Sequence, residues 1–401
     1  MSPPDSPPLQ RSRGMRDLLP ADMRAFRRVE DAFRAAVTRW GYEELRTPTI
    51  ETYSLFTAAG ALKPEMLSRV YSFLDWDGWS GERVVLRPDS TIPVARAAAE
   101  AALVLPARLF YVQNVFRFSE SDDREDWQCG IEYLGAPAAV GDLEVAAVAC
   151  ETLDALGLTA RVRLSHVGIT RAVMEAATQP GTDGLAALNG AGELGLPALR
   201  AHLGEQPQLA AFVDLAVQAD SGRPLLAKLA ALARASVPSA LPAIAELDDC
   251  AAALTDSDRE VVIDLAMPRD FDYYTGVVFE FESNGESWGG GGRYAPTGPG
   301  AAPTACGLGL EASRLAAHVA TSDRERLVVG VAPASAADLG RALNVARALH
   351  RGGIAAALAV GGSGCKVEVS VSGDSLVART PDGEQIMHRL DDVVGLLIRY
   401  K

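Results

Sequence analysis

LFYVQNVFRFSESDDREDWQCGIEYL (Leu109–Leu134) reads as two strands joined by an acidic turn. Leu109–Phe118 and Cys129–Leu134 are rich in the β-branched and aromatic residues that favour strands. The loop between them, Phe118 to Trp127, carries five acidic residues (Glu120, Asp122, Asp123, Glu125 and Asp126) around the single Arg124. Side chains alternate along a strand, so Gln128, Gly130 and Glu132 share one face. Arg117 joins that surface across the turn. An amide and a carboxylate on a buried face need partners, whereas on a solvated face they need none. These residues alone leave both readings open.

Upstream, Asp22–Trp40 places Met23, Phe26, Val29, Phe33 and Val37 at the spacing of an amphipathic helix, stopped by Gly41. Tyr42–Ile50 follows as a short strand interrupted by Pro48. Val84–Arg87 predicts a further strand, and Ile92–Leu105 and Leu143–Leu156 predict helices. Arg161–Ser165 is a strand candidate, with a helix after Thr170. From about residue 185 to 255 the chain turns Ala- and Leu-rich with helical periodicity, which marks a helical insertion. Strands resume at Val261–Leu265 and Val277–Phe281 and run into Gly289–Gly292. A helix follows Gly309. From Arg326 a separate unit begins: strand Leu327–Val331, helix Ala336–Arg351 and strand Ile354–Val360. After these come the strand candidates Lys366–Val371 and Leu376–Arg379, then a last helix or strand near Asp391–Arg399. Strands interrupted by helices, without strict alternation, predict an α+β main domain over 14–320 and a small α/β domain over 326–401.

The chemistry-bearing residues fall in four clusters. At Arg87-Pro88-Asp89-Ser90-Thr91 a carboxylate and two hydroxyls could hold an ammonium group, but taken alone they read better as a helix N-cap. The second cluster is Arg117, Gln128 and Glu132. The third, Arg269-Asp270-Phe271-Asp272-Tyr273-Tyr274-Thr275-Gly276, offers a guanidinium for a carboxylate and hydroxyls for a polar ring. The fourth, Gly289-Gly290-Gly291-Gly292-Arg293-Tyr294, permits close backbone approach but lacks the Lys-Ser/Thr of a P-loop.

Composition narrows the partners. Charged residues make up 22% of the 401 residues, and the net charge of −14 argues against a phosphate-binding surface as the main feature. Five cysteines without a C-x-x-C pair and five dispersed histidines give no metal site and fit a reducing, cytoplasmic setting. No apolar run reaches the roughly 18 residues of a membrane span. Residues 1–13 read as a disordered Pro/Ser tail, not a signal peptide.

The clusters taken together, with the opening Gly14-Met15-Arg16-Asp17 and the helix–strand unit ending at Pro48, resemble the class II histidyl-tRNA synthetase family over Gly14 to Leu315. The resemblance implies a class II synthetase-like antiparallel sheet flanked by helices. It also implies a histidine pocket of Asp89, Thr91, Arg117, Gln128, Glu132, Arg269, Tyr273, Tyr274 and Tyr294. By that analogy Asp89, Gln128 and Thr91 hold the α-amino group, Arg117 or Arg269 faces the carboxylate, and Glu132 and Tyr274 receive the imidazole. The motif 1 segment, Arg24–Pro48, would form a homodimer interface.

The ATP side departs from the synthetase pattern. Ser119 stands where motif 2 carries a glutamate, and Glu120, one residue late, points to the opposite face. The turn is acidic where ATP and a tRNA end want positive charge. Gly309-Leu310-Glu311-Ala312 lacks the arginine that closes motif 3, and Arg314 lies roughly 200° around a helix from it. Beyond Val360, Gly361-Gly362-Ser363-Gly364 replaces the continuation expected of an anticodon-binding domain.

A kept histidine pocket beside lost ATP motifs is similar to the synthetase-like regulatory subunits of ATP phosphoribosyltransferase. That resemblance implies no catalytic residues, no cofactor and no tRNA partner. It implies a short-form catalytic subunit as partner in the first step of histidine biosynthesis, L-histidine as feedback ligand, and a homodimer within a hetero-oligomer. The alternatives are a divergent active histidyl-tRNA synthetase and a free-standing histidine sensor.

Overall fold

Helix α1, Pro20–Arg39, buries Phe26, Val29, Phe33, Ala36 and Val37 along one stripe. Its first turn is fixed by Pro20, suited to a position whose N–H has no helical partner, and by the Leu19 N–H donating to Asp22 Oδ2 at 2.9 Å. The structure is a computed structural model. It describes residues 11–58, 67–76, 81–119, 123–177, 196, 203, 206–218, 222–267, 274–296, 298, 300–320, 329–359 and 367–398. The chain divides into two compact units, Met1–Thr321 and Ser322–Lys401.

After α1, the single strand expected over Tyr42–Ile50 is two. Strand β1 (Glu43–Glu44) and strand β2 (Ile50–Thr52) enter different sheets. The break has a physical cause in Arg87, which is buried and ties the chain between them. Its guanidinium donates to the carbonyls of Thr47 and Pro48 at 2.9 Å, to the Asn114 carbonyl at 2.6 Å and to Asn114 Oδ1 at 2.7 Å. Helix α2 (Tyr53–Ala58) leads to β3 (Ser72–Trp76) and β4 (Gly81–Leu86), and these form a small sheet in the order β2-β4-β3. Helix α3 spans Thr91–Glu100 and ends earlier than the periodicity suggested, with Ala102 turning to φ +47.

Strand β5 (Ala107–Phe116) pairs with β6 (Glu125–Leu134) so that Tyr111 faces Gly130. The second strand therefore begins four residues before the expected Cys129. Glu125 and Asp126, taken as loop from sequence, are strand residues. Next come α4 (Val140–Leu156), β7 (Arg161–His166) and α5 (Val167–Ala177). The described part of the helical insertion holds α6 (Pro207–Ala216), α7 (Pro224–Ser236) and α8 (Leu241–Asp256). Its expected start near Leu185 lies outside the described residues. Strands β8 (Val261–Ile263), β9 (Tyr274–Ser283), β10 (Glu286–Tyr294) and β11 (Ala305–Glu311) then lead to helix α9 (Ala312–His318).

The resulting sheet runs β1-β5-β6-β11-β10-β9-β7-β8, antiparallel except at its two ends, β1/β5 and β7/β8. Its helix-covered face holds the main core, where Phe33, Phe110, Ile131, Val145, Leu164, Phe279 and Leu308 pack together. In β6, Cys129, Ile131 and Tyr133 belong to that core. The intervening Gln128, Gly130 and Glu132 turn to the other face, where a cleft lies. The glycine run Gly289–Gly292 is the interior of β10. A Cβ on Gly291 would meet the Gly307 carbonyl oxygen at 2.0 Å, so glycine there permits the close approach of β11.

The second unit is built from β12 (Val329–Pro333), α10 (Leu339–Arg351), β13 (Ala356–Leu358), β14 (Val367–Ser372), β15 (Ser375–Thr380), β16 (Gly383–Met387) and α11 (Leu390–Leu397). The sheet order is β13-β12-β14-β15-β16, with parallel pairing around β12 and antiparallel hairpins beyond. The last element is a helix, and β16 was not expected from sequence. Gly361–Gly364 lie outside the described residues. No described helix is long and apolar enough to cross a membrane.

Candidate ligand pocket

The cleft, with the open solvent at its entrance, spans about 870 Å³ and is lined by Asp89, Thr91, Tyr111, Arg117, Gln128, Tyr274 and Tyr294, with Gly307, Gly309, Glu280 and Glu311 among others. Seven of the nine residues named from sequence thus have described positions: six line the cleft, and Glu132 lies against them. Arg269 and Tyr273 are outside the described residues. Among the described residues no group of three or more His, Cys, Asp or Glu side chains is arranged for a metal ion.

Glu132 lies against the cleft-lining Tyr294 and Gly307. It has no exposed surface, and its Oε2 accepts the Tyr294 hydroxyl at 2.7 Å. The Thr91 and Tyr111 hydroxyls also reach the carboxyl. Burial outweighs these bonds and raises it to about 8, because desolvation disfavours the charged form. Its Oε1 is buried with no hydrogen-bond partner. Room for this carboxylate comes from Gly307, across the register from it in β11. A Cβ there would lie 2.0 Å from Glu132 Oε2.

Asp89 caps a helix and also lines the cleft. Its Oδ1 accepts the Ile92 N–H at 3.0 Å, capping α3, while the carboxylate lies in the pocket lining. Burial raises its pKa, and backbone donors and the Arg117 guanidinium oppose the rise. Arg117 Nε donates to the Pro88 carbonyl at 2.7 Å, which holds this arginine beside Asp89.

Tyr111 was missed by the sequence reading. Its ring lies where any side chain on Gly130 would be, 2.1 Å from an added Cβ. The signal was available: Tyr111 and Arg117 are an even number of residues apart and so share a strand face. Glu311 was noted only for the arginine missing after it. Burial first, then contact with Asp126, raises its carboxyl to about 8, so this outer wall is an acidic pair. Ala312 is fully buried in the core. Arg314 does reach the rim, donating to the Ser287 carbonyl at 3.1 Å and lying 3.7 Å from Glu311 Oε2. Arg124 folds back, its Nε bonding the Ser119 carbonyl at 2.7 Å and its guanidinium 4.2 Å from the Phe118 ring centre.

Where Tyr294 enters the pocket, Arg293 points to the opposite face. There it pairs with the buried Asp142 of α4 and, at 2.5 Å, with Glu246 of α8. Glu246 also contacts His166 Nε2 at 3.0 Å, and His166 Nδ1 accepts the Gly168 N–H at 3.0 Å. That bond places the imidazole proton on Nε2. A second proton on Nδ1 would set two donors against each other. Burial is the main cause holding His166 below its ordinary 6.5. The unfolded chain therefore takes up this proton at higher pH than the folded one. Stability from His166 is complete above pH 6.5 and is lost as pH falls. The stability gap between the wild type and His166→Asn, measured by urea unfolding, should narrow between pH 7 and 5.5, by at most about 1.4 kcal/mol per pH unit. A gap independent of pH would refute this account of His166.

Comparison with known proteins places this geometry. The family model described as histidyl-tRNA synthetase matches residues 14–315. An ATP phosphoribosyltransferase regulatory subunit of Dehalococcoides mccartyi (strain ATCC BAA-2266 / KCTC 15142 / 195) is 37% identical over 401 residues, 96% of this chain and 95% of the relative. A histidine–tRNA ligase of Methanosarcina acetivorans is 30% identical over 296 residues, covering 71% of this chain and 69% of its own. Among solved structures, an ATP phosphoribosyltransferase regulatory subunit/histidyl-tRNA synthetase from Bacillus halodurans C superposes with a TM-score of 0.72 at 25% identity, over 88% of this chain and 93% of that one. On the fold, the pocket and these relatives together, the chain belongs to the ATP phosphoribosyltransferase regulatory-subunit family, built on the class II histidyl-tRNA synthetase fold.

Proposed function

We propose that this chain is the histidine-sensing, non-catalytic subunit that assembles with a short catalytic ATP phosphoribosyltransferase, activates it, and relays feedback inhibition. In this reading the pocket of Asp89, Thr91, Arg117, Gln128, Glu132, Tyr274 and Tyr294, completed by Arg269 and Tyr273, takes L-histidine. The subunit itself acts as a homodimer within the hetero-oligomer. One observation carries the proposal: the buried Glu132, which bonds the cleft-lining Tyr294, keeps an unpartnered Oε1 beside a cleft that is also lined by Asp89 and Arg117. An imidazole N–H fits the first, and an α-amino acid zwitterion fits the second pair.

The acidic Asp126–Glu311 pair and the buried Ala312 oppose a triphosphate. Removing one transition-state electrostatic contact typically costs about 10²–10³ in rate, so adenylate formation should be negligible. Histidine-dependent ATP–pyrophosphate exchange is expected to stay at background. Mixing with the catalytic subunit is expected to raise phosphoribosyl transfer, and added histidine to suppress it. Exchange at a synthetase's rate would overturn the proposal. Feedback requires histidine to prefer one state of the assembly, since equal affinity shifts nothing.

A further inference from the structure

The Glu132 carboxyl, held against the pocket lining, is surrounded by hydroxyls and by another acid. Facing Glu132 are Thr91 on α3, Tyr111 on β5 and Tyr294 on β10. Asp89 adds a second buried carboxyl in the same pocket, and the Cys306 thiol of β11 and Tyr274 of β9 lie near enough to act on this group or its neighbours. Arg117 acts on Asp89, and Arg293 acts on the Cys306 thiol.

A zwitterionic α-amino acid brings its ammonium to Asp89 and its carboxylate to the arginines of the pocket, Arg117 and Arg269, and among the described residues the groups that act on Glu132 are hydroxyls and Asp89, with no cation. A bare carboxylate beside a neutral imidazole would bury one uncompensated charge. One proton held between them, as carboxyl and imidazole or as carboxylate and imidazolium, leaves the pair neutral overall.

Resting on the histidine reading above, we propose that Glu132 and the ligand's imidazole share a single proton in the complex, so that affinity for histidine is bell-shaped in pH. The proton balance follows directly. Near neutral pH, free histidine is mostly uncharged at the ring and Glu132 brings the proton, so binding exchanges almost none with solvent. Below the imidazole's ordinary pKa of about 6.5, the ring arrives protonated and one proton must leave. Above about 8, where Glu132 ionises, one must be taken up.

The test is calorimetric titration of the full chain with L-histidine from pH 5.5 to 9, in two buffers of different ionisation enthalpy. Affinity is expected to peak near pH 7 and to be about tenfold weaker at pH 5.5 and at pH 9, since each limb approaches tenfold per unit. Nearly one proton should be released at pH 5.5, and nearly one taken up by Glu132 at pH 9, with a further fraction taken up there by the ligand's α-amino group as it begins to deprotonate. Glu132→Gln, isosteric with the protonated carboxyl, should bind within about tenfold of wild type at pH 7 and lose the alkaline limb up to pH 8.5. An affinity that climbs to a plateau above pH 8, with a proton released at neutral pH, would overturn the shared proton while leaving the histidine pocket intact. Retention of the alkaline limb below pH 8.5 in Glu132→Gln would also overturn it. Failure of histidine to bind the wild type at any pH would instead remove the pocket assignment.

Discussion

Arg293→Ala is expected to lower the unfolding free energy of the first unit by about 3–5 kcal/mol, the usual consequence of deleting one partner of a buried ion pair. Asp142 is the reason. Its side chain is 1% exposed, and Arg293 is its ion-pair partner. Without the guanidinium, a carboxylate is left in the core beside the Cys306 thiol, and Glu246 loses the contact that fastens α8 to β10. Urea unfolding of the variant measures the loss. The double variant Arg293→Met/Asp142→Leu should recover most of it, because an apolar pair of similar volume carries no desolvation cost. A loss below 1 kcal/mol in the single variant would mean that water reaches and screens this group of charges.

The second large effect is on binding. Gly307→Ala places a methyl 2.0 Å from Glu132 Oε2 and 2.9 Å from the Ile131 carbonyl oxygen. The backbone of β11 is held in register on both sides, so the carboxyl must move and its bond to Tyr294 must break. Histidine affinity is expected to fall at least ~100-fold, equal to about 2.7 kcal/mol, while overpacking costs about 1–3 kcal/mol of stability. Gly309→Ala is the control for the fold. Its Cβ would lie 3.6 Å from the Gln128 amide, an ordinary contact, so stability should change by no more than about 0.5 kcal/mol. Calorimetric titration and thermal melts on both variants separate the two effects. Unchanged histidine affinity in Gly307→Ala would show that Glu132 does not hold the ligand.

The two predictions arise from opposite faces of one strand register. Arg293 and Tyr294 are neighbours in β10. The first binds the strand to α4 and α8, and the second closes the pocket. A ligand that tightened the Tyr294–Glu132 contact would therefore pull on a strand already anchored to the helical insertion.

Much of this was legible in the sequence because it is written in local periods. The alternation in Leu109–Leu134 assigns Gln128, Gly130 and Glu132 to one face and Cys129, Ile131 and Tyr133 to the other, whatever lies opposite. The spacing of Phe26, Val29, Phe33 and Val37 likewise fixes the buried stripe of α1. The motif set and the alanine at 312 can be read without coordinates. Where the reading fell short, a distant partner had overruled a local signal. Acidic residues are poor strand formers, yet Glu125 and Asp126 extend β6, Glu125 accepting from Asn114 Nδ2 at 2.8 Å and Asp126 meeting Glu311.

Sequence by itself determined which residues are able to meet a ligand; tertiary structure decided which of them line the cleft and in what charge state. Periodicity tells a side chain which way to face, since it depends only on the backbone to either side. Register between strands far apart in the chain is set by packing of the whole sheet. It is this register that brings Gly307 against Glu132, Tyr111 over Gly130, and Arg293 to Asp142 across 151 positions. The protonation of Glu132 is a further step from sequence, because it depends on how completely the assembled pocket removes water from a carboxyl.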